Sequence, residues 1–409
     1  MSSDQSVALR EVAEEAGNRG WRTAVASAIG LTFGPSVLLV MAFGALITPL
    51  DEEFGWGVPA IALGASILSV TVMLISPVLG FLVDRIGGRR LILFSAPAFG
   101  ASLIAMSLLP NSLPVFYLAW VLLPLCGLGL WPVTYLRVTA GWFERRLGLA
   151  LGIANSGVGI GSVIVPIVTA VLIANFGWRG AFLGLGGLAL LAFPVAFFFL
   201  SEPSPRKTTV HFGGDTLRVA ARTRPFWLVL AAFLLLGMIG SSVVVHQIRL
   251  LLDAGVPSNV ANLMPIALGV ALIVARIVTG WLLDHFKVSY VMSAALFGGV
   301  VSFLLFAAGP NVATAIIAGA LAGLLIGAEF DVLSYLIPPY FGRLAFGKIY
   351  GIAFAVFQLG SAVAPFLVSM SRESYGSYCP AMLVLAVACV GCAGLFAFLG
   401  PYRYAVAHR

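Results

Sequence analysis

Twelve long apolar runs divide this chain, and nearly all of its charge lies between them. They fall at roughly 23–50, 58–83, 91–109, 115–139, 147–175, 180–200, 225–248, 259–283, 288–308, 313–337, 348–370 and 379–400. Each is about as long as a helix must be to cross the hydrocarbon of a bilayer, roughly 20 residues. Backbone amides in hydrocarbon must bond within the protein, so a spanning segment is either a helix or a strand of a closed barrel. Continuous runs of this length exclude a barrel, whose strands alternate over about ten residues. The fold class is therefore an all-α membrane protein in a lipid bilayer. With 60% hydrophobic and 10% charged residues, the composition also lies outside the soluble globular range.

An even number of spans places both chain ends on one side. Segments on that side hold 18 of the 23 Lys and Arg, the opposite loops hold Arg179, Arg249 and Arg372, and Arg137 and Arg276 lie inside spans. Such asymmetry puts both termini in the cytoplasm, with the plasma membrane (the inner membrane of a bacterium) as the expected location. The net charge of +7 then reflects topology, not nucleic-acid binding, because the basic loops lack interleaved aromatics. No cleavable leader is expected, since residues 1–22 carry Asp4, Glu11, Glu14 and Glu15 and the next apolar run is too long for a signal core. No cofactor or metal is expected either. Cys389 and Cys392 form a CxxC in an apolar span without a nearby histidine or acid, and read as small packing residues.

Between the second and third runs lies Gly80-Phe81-Leu82-Val83-Asp84-Arg85-Ile86-Gly87-Gly88-Arg89-Arg90, and an abbreviated copy, Gly280-Trp281-Leu282-Leu283-Asp284-His285, follows 200 residues later. Tyr135-Leu136 maps to Tyr335-Leu336 at the same offset. Gly152, Gly161-Ser162 and Pro166 map to Gly351, Gly360-Ser361 and Pro365 at an offset of 199. The chain reads as a duplicated half. Its expected organisation is a tail at 1–22, a six-helix half at 23–200, a linker at 201–224, a second half at 225–400 and a tail at 401–409. The first charged stretch closely resembles the loop between the second and third helices of the major facilitator superfamily. That resemblance implies twelve transmembrane helices in two pseudo-symmetric halves around a midplane site. It also implies that Gly80, Asp84, Arg85, Arg89 and Asp284 gate the cytoplasmic side.

Ionisable or polar groups inside spans are functional candidates because burying them in a membrane is costly. Trp131 and Tyr135 share a face of the fourth span, and can line a cavity or pack against a neighbour. Arg137 is read as reaching out to the nearby interface. In the seventh span Ser242, His246, Arg249 and Asp253 form one stripe, with His246 the candidate for a cavity wall or gate. Arg276 lies eight residues, about 12 Å along a helix, before Asp284 and has no acid within a turn of its own helix. It must answer to another helix, to water or to an anionic substrate. Glu329 and Asp331 sit at comparable depth on nearly opposite sides of the tenth span, and Asp331 shares its face with Ser334 and Tyr335. One carboxylate is expected to balance Arg276 and the other to carry a proton.

Three further features narrow the resemblance. They are Val245-His246-Gln247 with Asp253-Ala254-Gly255, Ala275-Arg276 with Gly280 and Asp284, and Trp142-Phe143 with Arg145-Arg146-Leu147-Gly148-Leu149-Ala150. Together they resemble the monocarboxylate transporter and oxalate–formate exchanger branch, in which an arginine of the eighth helix holds the substrate carboxylate. The resemblance carries that role onto Arg276. The exchanger's lysine in the eleventh helix has no counterpart in 352–365, where Gln358 is the polar residue available, which argues against a doubly clamped dicarboxylate. The acid one turn before the arginine is also replaced, by Leu272. The expected substrate-binding set is Arg276, Trp131, Tyr135, His246, Tyr335 and Gln358, with Glu329 and Asp331 for proton coupling. The expected function is secondary transport of a small organic anion, a monocarboxylate, with a proton, by a monomer. Efflux of an amphipathic compound by exchange, and a transporter-like receptor, are the alternatives. No catalytic set is present, so an enzyme is not expected.

Overall fold

The computed structural model describes residues 3–143, 146–202, 214–261 and 263–404. Glu144 and Arg145 at the start of the fifth span, and Arg206 and Lys207 of the linker, lie outside the described residues. Twelve helical crossings are present among those described, and only an isolated bridge between Gly214 and Gly342 has strand pairing. The first crossing, α1, consists of Ser3–Thr32 and Pro35–Phe54, broken where Gly34 takes extended angles and Pro35 has no N–H to offer. Next come α2 (Val58–Ile86) and α3 (Gly88–Met106). The fourth, α4, is interrupted: Leu113–Cys126 leads through a 3-10 turn, Leu128–Leu130, into Pro132–Ala140.

The fifth and sixth crossings, α5 (147–176) and α6 (178–199), meet at Gly177, whose φ of +66° is a left-handed turn that glycine alone adopts cheaply. The second half contains α7 (Arg224–Asp253), α8 (Met264–His285), α9 (Val288–Ala307), α10 (Val312–Phe341), α11 (Phe346–Tyr375) and α12 (Cys379–Ala397). Both described chain ends thus share one face of the bundle, called the terminal face below; the other is the far face. Phe94, Leu108, Phe297 and Val387 are each at least 70% exposed, which only a lipid surrounding makes reasonable.

The duplication extends to the far face. Glu53 ends α1 and accepts from Trp178 Nε1 and Arg179 Nη1, both at 2.5 Å, where α5 turns into α6. Asp253 and Tyr378 stand 200 positions after Glu53 and Trp178. Asp253 ends α7 and accepts from Arg372 at 2.7 Å near the end of α11. Each arginine covers an aromatic ring, Arg179 over Trp178 at 4.2 Å and Arg372 over Tyr378 at 5.7 Å. Gly55 and Gly255, two residues past the two acids, both have positive φ, +65° and +81°.

Without side chains, helices can touch backbone to backbone, which is how packing is achieved where lipid gives no hydrophobic drive. A Cβ on Gly157 of α5 would collide with the Ala28 carbonyl of α1, whereas one on Gly187 of α6 would meet nothing within 4 Å. Gly157→Val is therefore expected to lower the melting temperature of the purified protein, overpacking costing about 1–3 kcal/mol. Gly187→Ala should leave it unchanged or raise it slightly. Thermal unfolding of both in detergent checks this, and equal melting temperatures would show that α1 and α5 do not touch at that level.

Candidate functional site

The charged centre lies between the two halves. Arg276 of α8 is 2% exposed, Asp331 of α10 is fully buried and Glu329 is 3% exposed. Asn155 of α5, from the first half, is also fully buried and its Nδ2 donates to Asp331 Oδ1 at 2.5 Å. Arg276 Nη1 stands 4.0 Å from the same oxygen, too far for a hydrogen bond. Among the described residues, Arg276 Nε and Nη1, Asp331 Oδ2 and Asn155 Oδ1 have no hydrogen-bond partner. Unpaired buried donors on a guanidinium are costly, so an acceptor placed beside them would be held strongly.

The two acids of α10 diverge, as their spacing dictates. Asp331 faces Asn155 and Arg276, while Glu329 points to α7, where a Cβ on Gly240 would lie 3.4 Å from its Oε2. Tyr350 of α11 lies within electrostatic reach of Arg276, Asp331 and Glu329. The Phe330 ring lies 6.0 Å from the Arg276 guanidinium carbon. Asn155 was not among the residues singled out from sequence. An asparagine midway along a glycine-rich apolar helix was the available signal.

The other candidates are held by contacts of their own. Trp131 caps the last segment of α4, and its Nε1 is 3.5 Å from the Pro124 carbonyl oxygen. Tyr135 is buried against Gly30 of α1 and Tyr335 is 2% exposed in α10. His246 is 8% exposed, and its Nε2 donates at 3.0 Å to the Pro365 carbonyl of α11. Gln358 is half-buried in α11. Arg249 pairs with Asp253 at 3.1 Å on the far face.

On the terminal face the two repeated aspartates reach across the halves. Asp84 of α2 accepts from the backbone N–H groups of Gly347 and Lys348, both at 3.0 Å, at the start of α11. Asp284 of α8 accepts from Gly148 at 2.6 Å and Leu149 at 2.9 Å, at the start of α5. Each carboxylate thus caps the exposed N–H groups of a helix in the other half, where the helix dipole favours negative charge. Glycines make the approach possible: a Cβ on Gly80 would strike the Gly347 carbonyl, and one on Gly280 would strike that of Gly148.

Arg137 reaches toward the terminal face, where it meets a partner. It turns to Asp84, Nε to Oδ1 at 3.2 Å, because that carboxylate is the nearer partner. Arg89 holds its own half together, its N–H donating to Glu202 Oε1 at 3.0 Å and its Nη2 to the Phe197 carbonyl at 2.8 Å. Arg85 covers the Phe81 ring at 5.9 Å. Arg343, in the loop after α10, adds a third link across the halves by donating to the Phe143 carbonyl at 2.8 Å. These contacts together form a seal of hydrogen bonds that ties the two halves to each other on the terminal face.

Comparison with known proteins places these features. Residues 29–257 match the family described as Major Facilitator Superfamily. Monocarboxylate transporter 11 of Homo sapiens is 26% identical over 387 residues, 89% of this chain and 80% of that protein. An uncharacterized MFS-type transporter of Bacillus subtilis, YcxA, is 25% identical over 270 residues, 62% of this chain and 63% of that one. Among solved structures, the E. coli fucose:proton symporter FucP superposes with a TM-score of 0.69 at 15% identity, over 92% of this chain and 98% of its own. A structure of FucP in the outward conformation gives 0.68. At that identity the likeness is one of fold alone.

The seal makes a measurable demand. Asp84→Asn keeps the side-chain shape but removes the charge facing the α11 N-terminus, an interaction of about 0.3–2 kcal/mol. A cysteine placed at Ser334, buried one turn from Asp331 in α10, should then react several-fold faster with a membrane-impermeant thiol reagent applied to the terminal face. An unchanged labelling rate would show that Asp84 does not hold the halves together.

Proposed function

The chain belongs to the major facilitator superfamily and is a membrane-embedded transporter of a small molecule; we propose that its substrate is an organic monoanion, a monocarboxylate, carried with a proton. The observation that carries this reading is the guanidinium of Arg276, buried between the halves with Nε and Nη1 unpartnered and its nearest carboxylate 4.0 Å away. A guanidinium presents a planar fork matched to one carboxylate. The relationship to proteins named monocarboxylate transporters supports the same substrate class.

Charge balance supports coupling. One guanidinium and two carboxyls buried together are neutral only if one carboxyl holds a proton. When the substrate carboxylate takes the place of Asp331 beside Arg276, Asp331 takes up the proton and neutrality is kept. Its new hydroxyl has an acceptor at hand in Asn155 Oδ1, which is unpartnered. Substrate and proton then enter and leave together. Because Asn155 belongs to the other half, the protonation state of Asp331 bears on the contact between halves. Alternating access follows from rocking the halves about this centre, with the terminal-face contacts between the halves made in one state and broken in the other. The concentration of Lys and Arg on the terminal-face segments supports a cytoplasmic terminal face in the plasma (bacterial inner) membrane. All groups in the scheme belong to one chain, so a monomer suffices.

Proteoliposome transport tests the assignment. Arg276→Lys should largely abolish uptake although charge is kept, since an ammonium cannot reproduce the fork. Asp331→Asn should preserve substrate exchange and lose accumulation driven by an imposed pH gradient, with Glu329→Gln measured alongside. Full activity in Arg276→Lys would remove the carboxylate site, and gradient-driven accumulation in both acid variants would remove the coupling role.

A further inference from the structure

Beside Arg276 stands a wall of aromatic rings that a carboxylate anchor by itself does not require. Phe346, Tyr350, Phe354 and Phe357 occupy positions i, i+4, i+8 and i+11 of α11, one stripe along the helix. Successive ring centroids are 6.2 Å apart throughout. Phe330 of α10 closes the group, 5.7 Å from Phe354 and 4.9 Å from Phe357. The same Phe330 ring stands 6.0 Å from the guanidinium carbon of Arg276. These are separations at which aromatic rings attract one another. Phe330 and Phe354 nonetheless remain only partly buried, so part of their surface is left for another group to cover.

We infer that the transported anion is an aryl or arylalkyl monocarboxylate, with its carboxylate on Arg276 and its ring against Phe330 and Phe354. The inference rests on the carboxylate reading of Arg276 given above. A short hydroxy- or keto-acid has no apolar body with which to cover these rings. A dicarboxylate would turn its second charge toward aromatic faces, which carry negative potential. It would also find no second cation in 352–365 of α11, where Gln358 is the polar side chain nearest in sequence to the wall. A flat apolar body with a single charge at one end satisfies the anchor and the wall together.

The experiment is a binding series on the purified full-length protein in lipid nanodiscs. Its probes are phenylacetate and 3-phenylpropanoate against acetate, lactate and oxalate. The phenyl acids are expected to bind at least tenfold more tightly than acetate or lactate, with oxalate the weakest. Phe354→Ala should reduce the ratio of phenylacetate to acetate affinity about tenfold, which is about 1.4 kcal/mol. Phe330→Leu provides the same ratio if the first variant does not fold. Equal affinities for phenylacetate and acetate, or a ratio that neither variant moves, overturn the inference. The anchor reading survives that result if Arg276→Lys abolishes binding of every carboxylate. If no carboxylate binds and Arg276→Lys changes nothing, the anchor reading falls and the inference with it.

Discussion

Two carboxylates bonded to the bare ends of helices in the opposite half fix how this molecule is put together. Asp84 meets the first N–H groups of α11, and Asp284 meets those of α5. Helix ends have no internal partners for these donors, so an acid delivered by the other half satisfies a need that neither half meets alone. The bonds sit on one face only, and breaking them leaves each half intact. That is the property a joint between rocking bodies must have. The glycines at 80, 148, 280 and 347 belong to the same device, because any larger residue would hold the helices too far apart for the carboxylates to reach.

The centre follows a different rule. At the terminal face, charge is answered by backbone and by half-exposed partners such as Arg137. Between the halves Arg276, Asp331 and Asn155 are buried away from the surface, and their atoms are not all matched by hydrogen-bond partners among the described residues. A complete network would rigidify the interface between the halves; an incomplete one leaves room for a ligand and gives it something to do there. In the proposed mechanism the same few atoms therefore serve binding, proton uptake and contact between the halves. The far-face pairs of Glu53 with Arg179 and Asp253 with Arg372 stay within their own halves, and so do not oppose the motion.

Much of this was legible in the residues. The number and placement of crossings follow from the lengths of apolar runs, because the bilayer sets a minimum length and forbids unpaired backbone. Gly80, Asp84, Gly280 and Asp284 could be matched by their spacing, and the prolines and glycines of α1, α4 and the α5–α6 turn mark where helices break. Arg276 was legible because a charge without a neighbour on its own helix must find one elsewhere. The aromatic stripe of α11 was also present as a spacing, but nothing in a lone helix tells whether its stripe meets lipid, a neighbour or a charged centre. The partner of Arg137 was hidden for a related reason: its distance along the helix to the interface was known, its distance to Asp84 was not.

What the sequence by itself determined is the class of fold, the duplication and the small set of buried charges, since each depends on the cost of placing one residue type in hydrocarbon. Which groups meet was decided only in three dimensions. That Asn155 of one half bonds Asp331 of the other depends on how α5 and α10 face each other across the halves. That Glu329 turns to α7 while Asp331 turns to the centre depends on the rotation of α10 about its axis. Both depend on packing, and packing between helices of different halves is a property of surfaces far apart in the chain, set by shape and by small residues, not by the composition of either helix alone.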